Sequence, residues 1–90
     1  MSTVAREVRV HGRVQGVFFR DSCRSEADRR GVTGWISNEP DGTVAAHFEG
    51  EPADVDAVVD WCRQGSAGAK VQGVDVDEVE PRGCSRFDVR

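Results

Sequence analysis

The chain predicts an α+β sandwich of ferredoxin-like topology, a β-α-β-β-α-β order with a short closing strand, in which two helices pack on one face of an antiparallel sheet. Three observations lead there. Four segments alternate apolar and polar residues with the period of two that a half-buried strand requires. Two further segments carry helical spacing, and the six follow one another as strand, helix, strand, strand, helix, strand. Ninety residues hold one compact domain, expected to span 1–90, with a modest core.

The first strand covers residues 4–10, where Val4, Val8 and Val10 share one face and Ala5, Glu7 and Arg9 the other. Residues 21–30 are polar with Cys23 and Ala27 four apart, and Gly31 follows as a stop, so a short amphipathic helix is predicted there. Residues 32–38 form the second strand, Pro40-Asp41-Gly42 a tight turn, and residues 43–49 the third strand, alternating Val44, Ala46 and Phe48. The clearest helix opens at Glu51-Pro52-Ala53-Asp54, with proline and acids in its first turn. Val55, Val58, Val59 and Cys62 then fall on one stripe, and Gly65 ends it. After a small-residue linker, residues 71–79 form a valine-rich fourth strand, Pro81-Arg82-Gly83 turns, and Phe87 and Val89 alternate in the closing strand.

Composition narrows the function. A net charge of −4 excludes general nucleic-acid binding, which needs a basic surface. Residues 1–30 nevertheless hold seven arginines against four acids, while residues 31–90 hold five basic residues against twelve acids, a distribution suited to a local anion site on an acidic surface. No apolar run approaches the roughly 20 residues of a membrane span, and the N-terminus lacks a secretory layout, so a cytoplasmic location is expected. Cys23, Cys62 and Cys84 show no CxxC or Cys/His spacing, so neither a zinc site nor a disulfide framework is read, and no metal or cofactor is assigned. Cys23 and Cys62 read as small buried hydrophobes on helices. Cys84, in a Gly-Cys-Ser turn, reads as exposed, with its redox role open. Trp35 and Trp61 read as core anchors, His47 as structural or exposed, and the alternating acids of the fourth strand as its wet face.

The run Val10-His11-Gly12-Arg13-Val14-Gln15-Gly16-Val17-Phe18-Phe19-Arg20 carries the chemistry. Gly12 and Gly16 permit backbone conformations and approaches that a side chain would block. Consecutive N–H groups between Gln15 and Arg20 are thereby able to converge on a small anion. Arg20 adds a planar, permanently charged fork suited to phosphate oxygens. A helix starting near Asp21 places its positive end at the same spot. At least one of Phe18 and Phe19 is expected to enter the core and stiffen the cradle.

This run resembles the first signature of the acylphosphatase family at Val10, Gly12, Val14, Gln15, Gly16, Val17, Phe19 and Arg20. Residues 34–44, followed by Gly50, resemble the second, with the glycines, Trp35, Asn38 and Val44 in register. Ser37 stands where the family usually places a longer or basic residue, and Ile36 is bulkier than usual, departures that bear on substrate preference or rate. The resemblance implies a metal-independent hydrolase of small acyl phosphates. It assigns the phosphoryl group to Arg20 and to the loop amides of Gln15, Gly16, Val17, Phe18, Phe19 and Arg20, and it implies that Asn38 orients the attacking water. Residue patterns agree with these roles but do not by themselves assign Asn38. The chemistry suits such a site, because the leaving carboxylate is a weak base and needs little general-acid help. What remains is to hold the phosphoryl oxygens and place a water in line. A phosphoryl oxygen is expected to take the water's proton, and His11 to be a solvent-facing neighbour.

The alternative is a non-catalytic module of the same fold that holds an acyl or carbamoyl phosphate for a partner protein, as in some larger hydrogenase-maturation proteins. An RNA-binding domain of this topology would need exposed strand aromatics and a basic face, which the sequence lacks. The expected partner is a small-molecule acyl phosphate, with no nucleic acid or membrane, and the chain is expected to work as a monomer.

Overall fold

The computed structural model describes residues 2–90. The elements follow in the order β1 (Val4–Arg13), α1 (Phe19–Arg29), β2 (Thr33–Asn38), β3 (Val44–Gly50), α2 (Pro52–Gln64), β4 (Lys70–Val79) and β5 (Phe87–Val89). The strands form one sheet in the order β4-β1-β3-β2-β5. All neighbours pair antiparallel except β5, which runs parallel to β2 and makes the sheet mixed at that edge. The expected fold holds. The direction of the closing strand is what alternation alone leaves unspecified, since Phe87 and Val89 alternate identically in either direction.

Alternation sorts the strands into two faces. Val8, Val10, Ile36, Val44, Ala46 and Phe48 point to the helices, where they meet Phe19, Cys23 and Ala27 of α1 and Val55, Val58, Val59 and Cys62 of α2 in a single core. Cys23 and Cys62 are free thiols with no exposed surface, as their helical spacing predicts. Trp61 packs at the core margin, its ring edge-on to Phe19 with centroids 5.2 Å apart.

Trp35 corrects the sequence reading. Ile36 takes the core side of β2, so the period of two turns Trp35 to the face away from the helices. There it stacks on the His47 ring at 6.2 Å and 11°, and the Arg90 guanidinium lies 4.6 Å from its centre. This face is not uniformly wet. His47 and Glu49 of β3 are buried on it, beneath Trp35 and the segment that leads to β5.

Candidate active site

The end of β1 is shaped by two glycines with different duties. Gly12 sits at an irregularity of the β1–β4 register with φ +124°, and a Cβ there would overlap the carbonyl oxygen of Lys70. It permits close approach of two strands. Gly16 has φ +72° with open space around it, so conformation alone selects glycine.

Between Gly16 and α1 the chain makes a turn that propensity does not foresee. Phe18 adopts the left-handed conformation (φ 59°, ψ 25°), the only non-glycine residue with positive φ among those described. It caps α1 without a side-chain hydrogen bond, and α1 therefore begins at Phe19 rather than near Asp21. The split between the two phenylalanines follows: Phe19 is 2% exposed and fills the core, while Phe18 is 80% exposed at the rim of the turn. The helix's first internal bond runs from the Ser22 N–H to the Phe18 carbonyl at 3.0 Å. Helix geometry thus leaves the amides of Phe19, Arg20 and Asp21 without an intrahelical acceptor.

A cleft of about 270 Å³ opens there, lined by Val14, Gly16, Phe18, Phe19, Arg20, Asp21 and Asn38. It unites the two halves of the sequence reading. Arg20 and Asn38, eighteen positions apart on different elements, both line it. Gln15 and Val17 line it with neither side chain, and instead they hold the loop in place. The Gln15 amide donates to the carbonyls of Glu39 (2.8 Å) and Thr43 (2.9 Å), which ties the loop to the β2–β3 turn just past Asn38. The Val17 carbonyl accepts from the Ser66 hydroxyl at 2.6 Å, which fastens the loop to the segment after α2.

Two polar groups give the cleft its character. Arg20 Nη1 donates to the main-chain oxygen of Arg90 at 2.7 Å. Arg90 is itself fixed by its N–H to the Ile36 carbonyl (2.8 Å) and by its guanidinium over Trp35. That single bond orients Arg20 and leaves most of its five-donor fork for a ligand. Asn38 Oδ1 is buried and has no hydrogen-bond partner among the described residues. As a carboxamide oxygen it is an acceptor, and its complement is a hydrogen-bond donor.

The acylphosphatase family model matches residues 6–89. The chain belongs to the acylphosphatase family. It is 56% identical to an acylphosphatase of Rubrobacter xylanophilus over 84 residues, covering 92% of this chain and 76% of that protein. It is 55% identical to one of Nocardioides sp., covering 96% of this chain and 87% of that protein. The structure of an acylphosphatase from Coxiella burnetii superposes with a TM-score of 0.94 at 35% identity, over 98% of this chain and 93% of that one. Both family signatures fall on the walls and supports of the cleft.

Several features of the acylphosphatase cleft escape sequence reasoning. Arg90 and Ser66 contribute from 70 and 49 positions away, with no local pattern to flag them. Asp21 also lines the cleft. His11 does not line it, and pairs with Asp75 of β4 at 2.8 Å. Among the described residues, the one group of His, Cys, Asp or Glu donors close enough to share an ion is His47, Glu49 and Cys84, which lies outside the cleft. No helix among those described is long and apolar enough to cross a membrane.

Proposed function

We propose that this chain, as one domain, hydrolyses the carboxyl–phosphate bond of small acyl phosphates to a carboxylate and inorganic phosphate. The phosphoryl group sits against the Arg20 guanidinium and the amides of residues 15–20 at the start of α1, where permanent charge, unpaired N–H groups and the helix dipole all favour an anion. Asn38 Oδ1 accepts a hydrogen bond from the attacking water and holds one lone pair of that water toward phosphorus. The new P–O bond to water forms as the P–O bond to the acyl oxygen breaks. The carboxylate leaves unprotonated, and a phosphoryl oxygen takes the water's proton.

The observation that carries this reading is that Asn38 and Arg20 line one cleft, with Asn38 Oδ1 left without a hydrogen-bond partner among the described residues. An ionised phosphoryl oxygen has no proton to offer it, whereas water has two. Asn38 Oδ1 is thus suited to a water, and the cationic side of the cleft to the phosphoryl group. Three free thiols fit a reducing cytoplasmic setting, where the chain works as a monomer in this reading.

Hydrolysis of benzoyl phosphate by purified protein in excess chelator, run beside Arg20→Ala, tests the proposal. Turnover abolished by the substitution is expected. Phosphate binding without turnover in the unmodified chain would instead indicate a module that holds acyl phosphates for a partner.

A further inference from the structure

Alternation along β3 sends Val44, Ala46 and Phe48 to the core, and places His47 and Glu49 side by side on the opposite face. His47 has no exposed surface and Glu49 is 3% exposed, a rare degree of burial for two ionisable groups. The cover comes from the segment before β5. The Arg82 N–H donates to Glu49 Oε2 at 2.5 Å, and the Cys84 N–H to Oε1 at 3.1 Å. Those bonds bring the Cys84 thiol over the pair.

We propose that His47 Nε2, Glu49 and Cys84 Sγ form a binding site for a thiophilic divalent cation of the Zn²⁺ class, which clamps the segment before β5 onto the sheet. An imidazole nitrogen, a carboxylate oxygen and a thiolate are all Zn²⁺ donors, and three protein ligands leave a fourth position for water. Their donor atoms all lie within 4.8 Å of one another. Tetrahedral Zn²⁺, with Zn–N and Zn–O near 2.0–2.1 Å and Zn–S near 2.3 Å, sets its ligand atoms roughly 3.3–3.7 Å apart. The Sγ···Oε2 separation of 3.5 Å falls in that span, and the 2.7 Å Nε2···Oε2 contact needs to open by roughly half an ångström.

The surroundings of His47 also fit a ligand. Its other nitrogen, Nδ1, lies 3.2 Å from Glu7 Oε2, and Arg82 Nη2 lies 3.3 Å from the same oxygen. A carboxylate on the far nitrogen holds the ring so that Nε2 faces Glu49 and Cys84, as orienting carboxylates do for metal-binding histidines. Trp35 stacked on the ring fixes its plane. In the metal-free chain, protons occupy the cation's place: the thiol donates to Oε2, and Nε2 shares a hydrogen bond with the same oxygen. The cation displaces both protons. None of these donors lines the cleft, so the site is separate from it and stands independently of its assignment.

The test is titration of the untagged, chelator-stripped chain with Co²⁺, followed by displacement with Zn²⁺. One equivalent of Co²⁺ is expected to give a near-ultraviolet sulfur-to-cobalt charge-transfer band with tetrahedral visible bands, both lost on adding Zn²⁺. Cys84→Ser, at a partly exposed position that tolerates the change, is expected to abolish the charge-transfer band and weaken Zn²⁺ at least tenfold. Glu7→Gln is expected to keep the band and weaken Zn²⁺ about tenfold, as loss of an orienting carboxylate does. Absence of the band at millimolar Co²⁺, or Zn²⁺ affinity unchanged by Cys84→Ser, overturns the proposal.

Discussion

Replacing Asn38 by alanine separates the account's two halves, because it is expected to cripple turnover while sparing both ligand binding and the fold. Asn38 Oδ1 has no hydrogen-bond partner among the described residues, so its removal breaks none of their hydrogen bonds. Truncation gives up only the contacts of one half-buried side chain, so unfolding free energy is expected to change by no more than about 1 kcal/mol. Catalysis loses a preorganised group that places the nucleophile, which is worth roughly 10²–10³ in kcat, or about 3–4 kcal/mol of barrier. Inorganic phosphate, held by Arg20 and the loop amides, is expected to inhibit with a Ki changed less than about threefold. Saturation kinetics on benzoyl phosphate, phosphate inhibition and urea unfolding of the same preparation read all three quantities. A Ki raised tenfold, or a stability loss beyond about 1 kcal/mol, would refute the reasoning, since Asn38 would then be holding phosphate or the protein itself.

Arg20→Lys keeps the charge but loses the planar fork and the bond to the Arg90 oxygen, and kcat/KM is expected to fall at least about a hundredfold. Gly12→Ala forces a Cβ into the Lys70 carbonyl at φ +124°, whereas Gly16→Ala meets only conformational strain. Urea unfolding is expected to show a loss of roughly 3 kcal/mol for the first and about 1–2 kcal/mol for the second. Burial alone would raise the carboxyl of Glu49, but hydrogen bonds from His47, the main-chain N–H groups of Arg82 and Cys84, and the Cys84 thiol outweigh it. They hold it at about 2 rather than 4.5. A depressed folded value means that this stabilisation is complete above pH 4.5 and is lost as pH falls toward 2. In excess chelator, Glu49→Gln is expected to cost roughly 3 kcal/mol at neutral pH, with the gap to the unmodified chain closing across that acid window. A gap independent of pH would contradict the stated cause.

Local pattern made much of this molecule legible, and distance hid the rest. The stripe Val55, Val58, Val59, Cys62 and the stop at Gly65 placed α2 within a residue of its observed ends, because helix periodicity and capping are encoded within one or two turns. Strand alternation placed β3, but it could not say what would cover the second face, so His47 and Glu49 came out buried beneath a segment more than thirty positions away. Trp35 followed its alternation, not its hydrophobicity. The start of α1 eluded propensity because Phe18 holds a left-handed conformation that phenylalanine disfavours, imposed by the turn that the cleft requires. Arg20 and Asn38 were legible as motif residues. Their supports, Gln15 on the β2–β3 turn and Arg90 on Arg20, exist only once the chain has folded.

The central claim is that a water held by Asn38 attacks phosphorus while the cradle holds the phosphoryl group. Hydrolysis of benzoyl phosphate in ¹⁸O-labelled water, with the products separated and weighed by mass spectrometry, tests it most directly. The account predicts one labelled oxygen in inorganic phosphate and none in benzoate. Label in benzoate would place the attack at the carbonyl carbon and contradict the assignment of both residues.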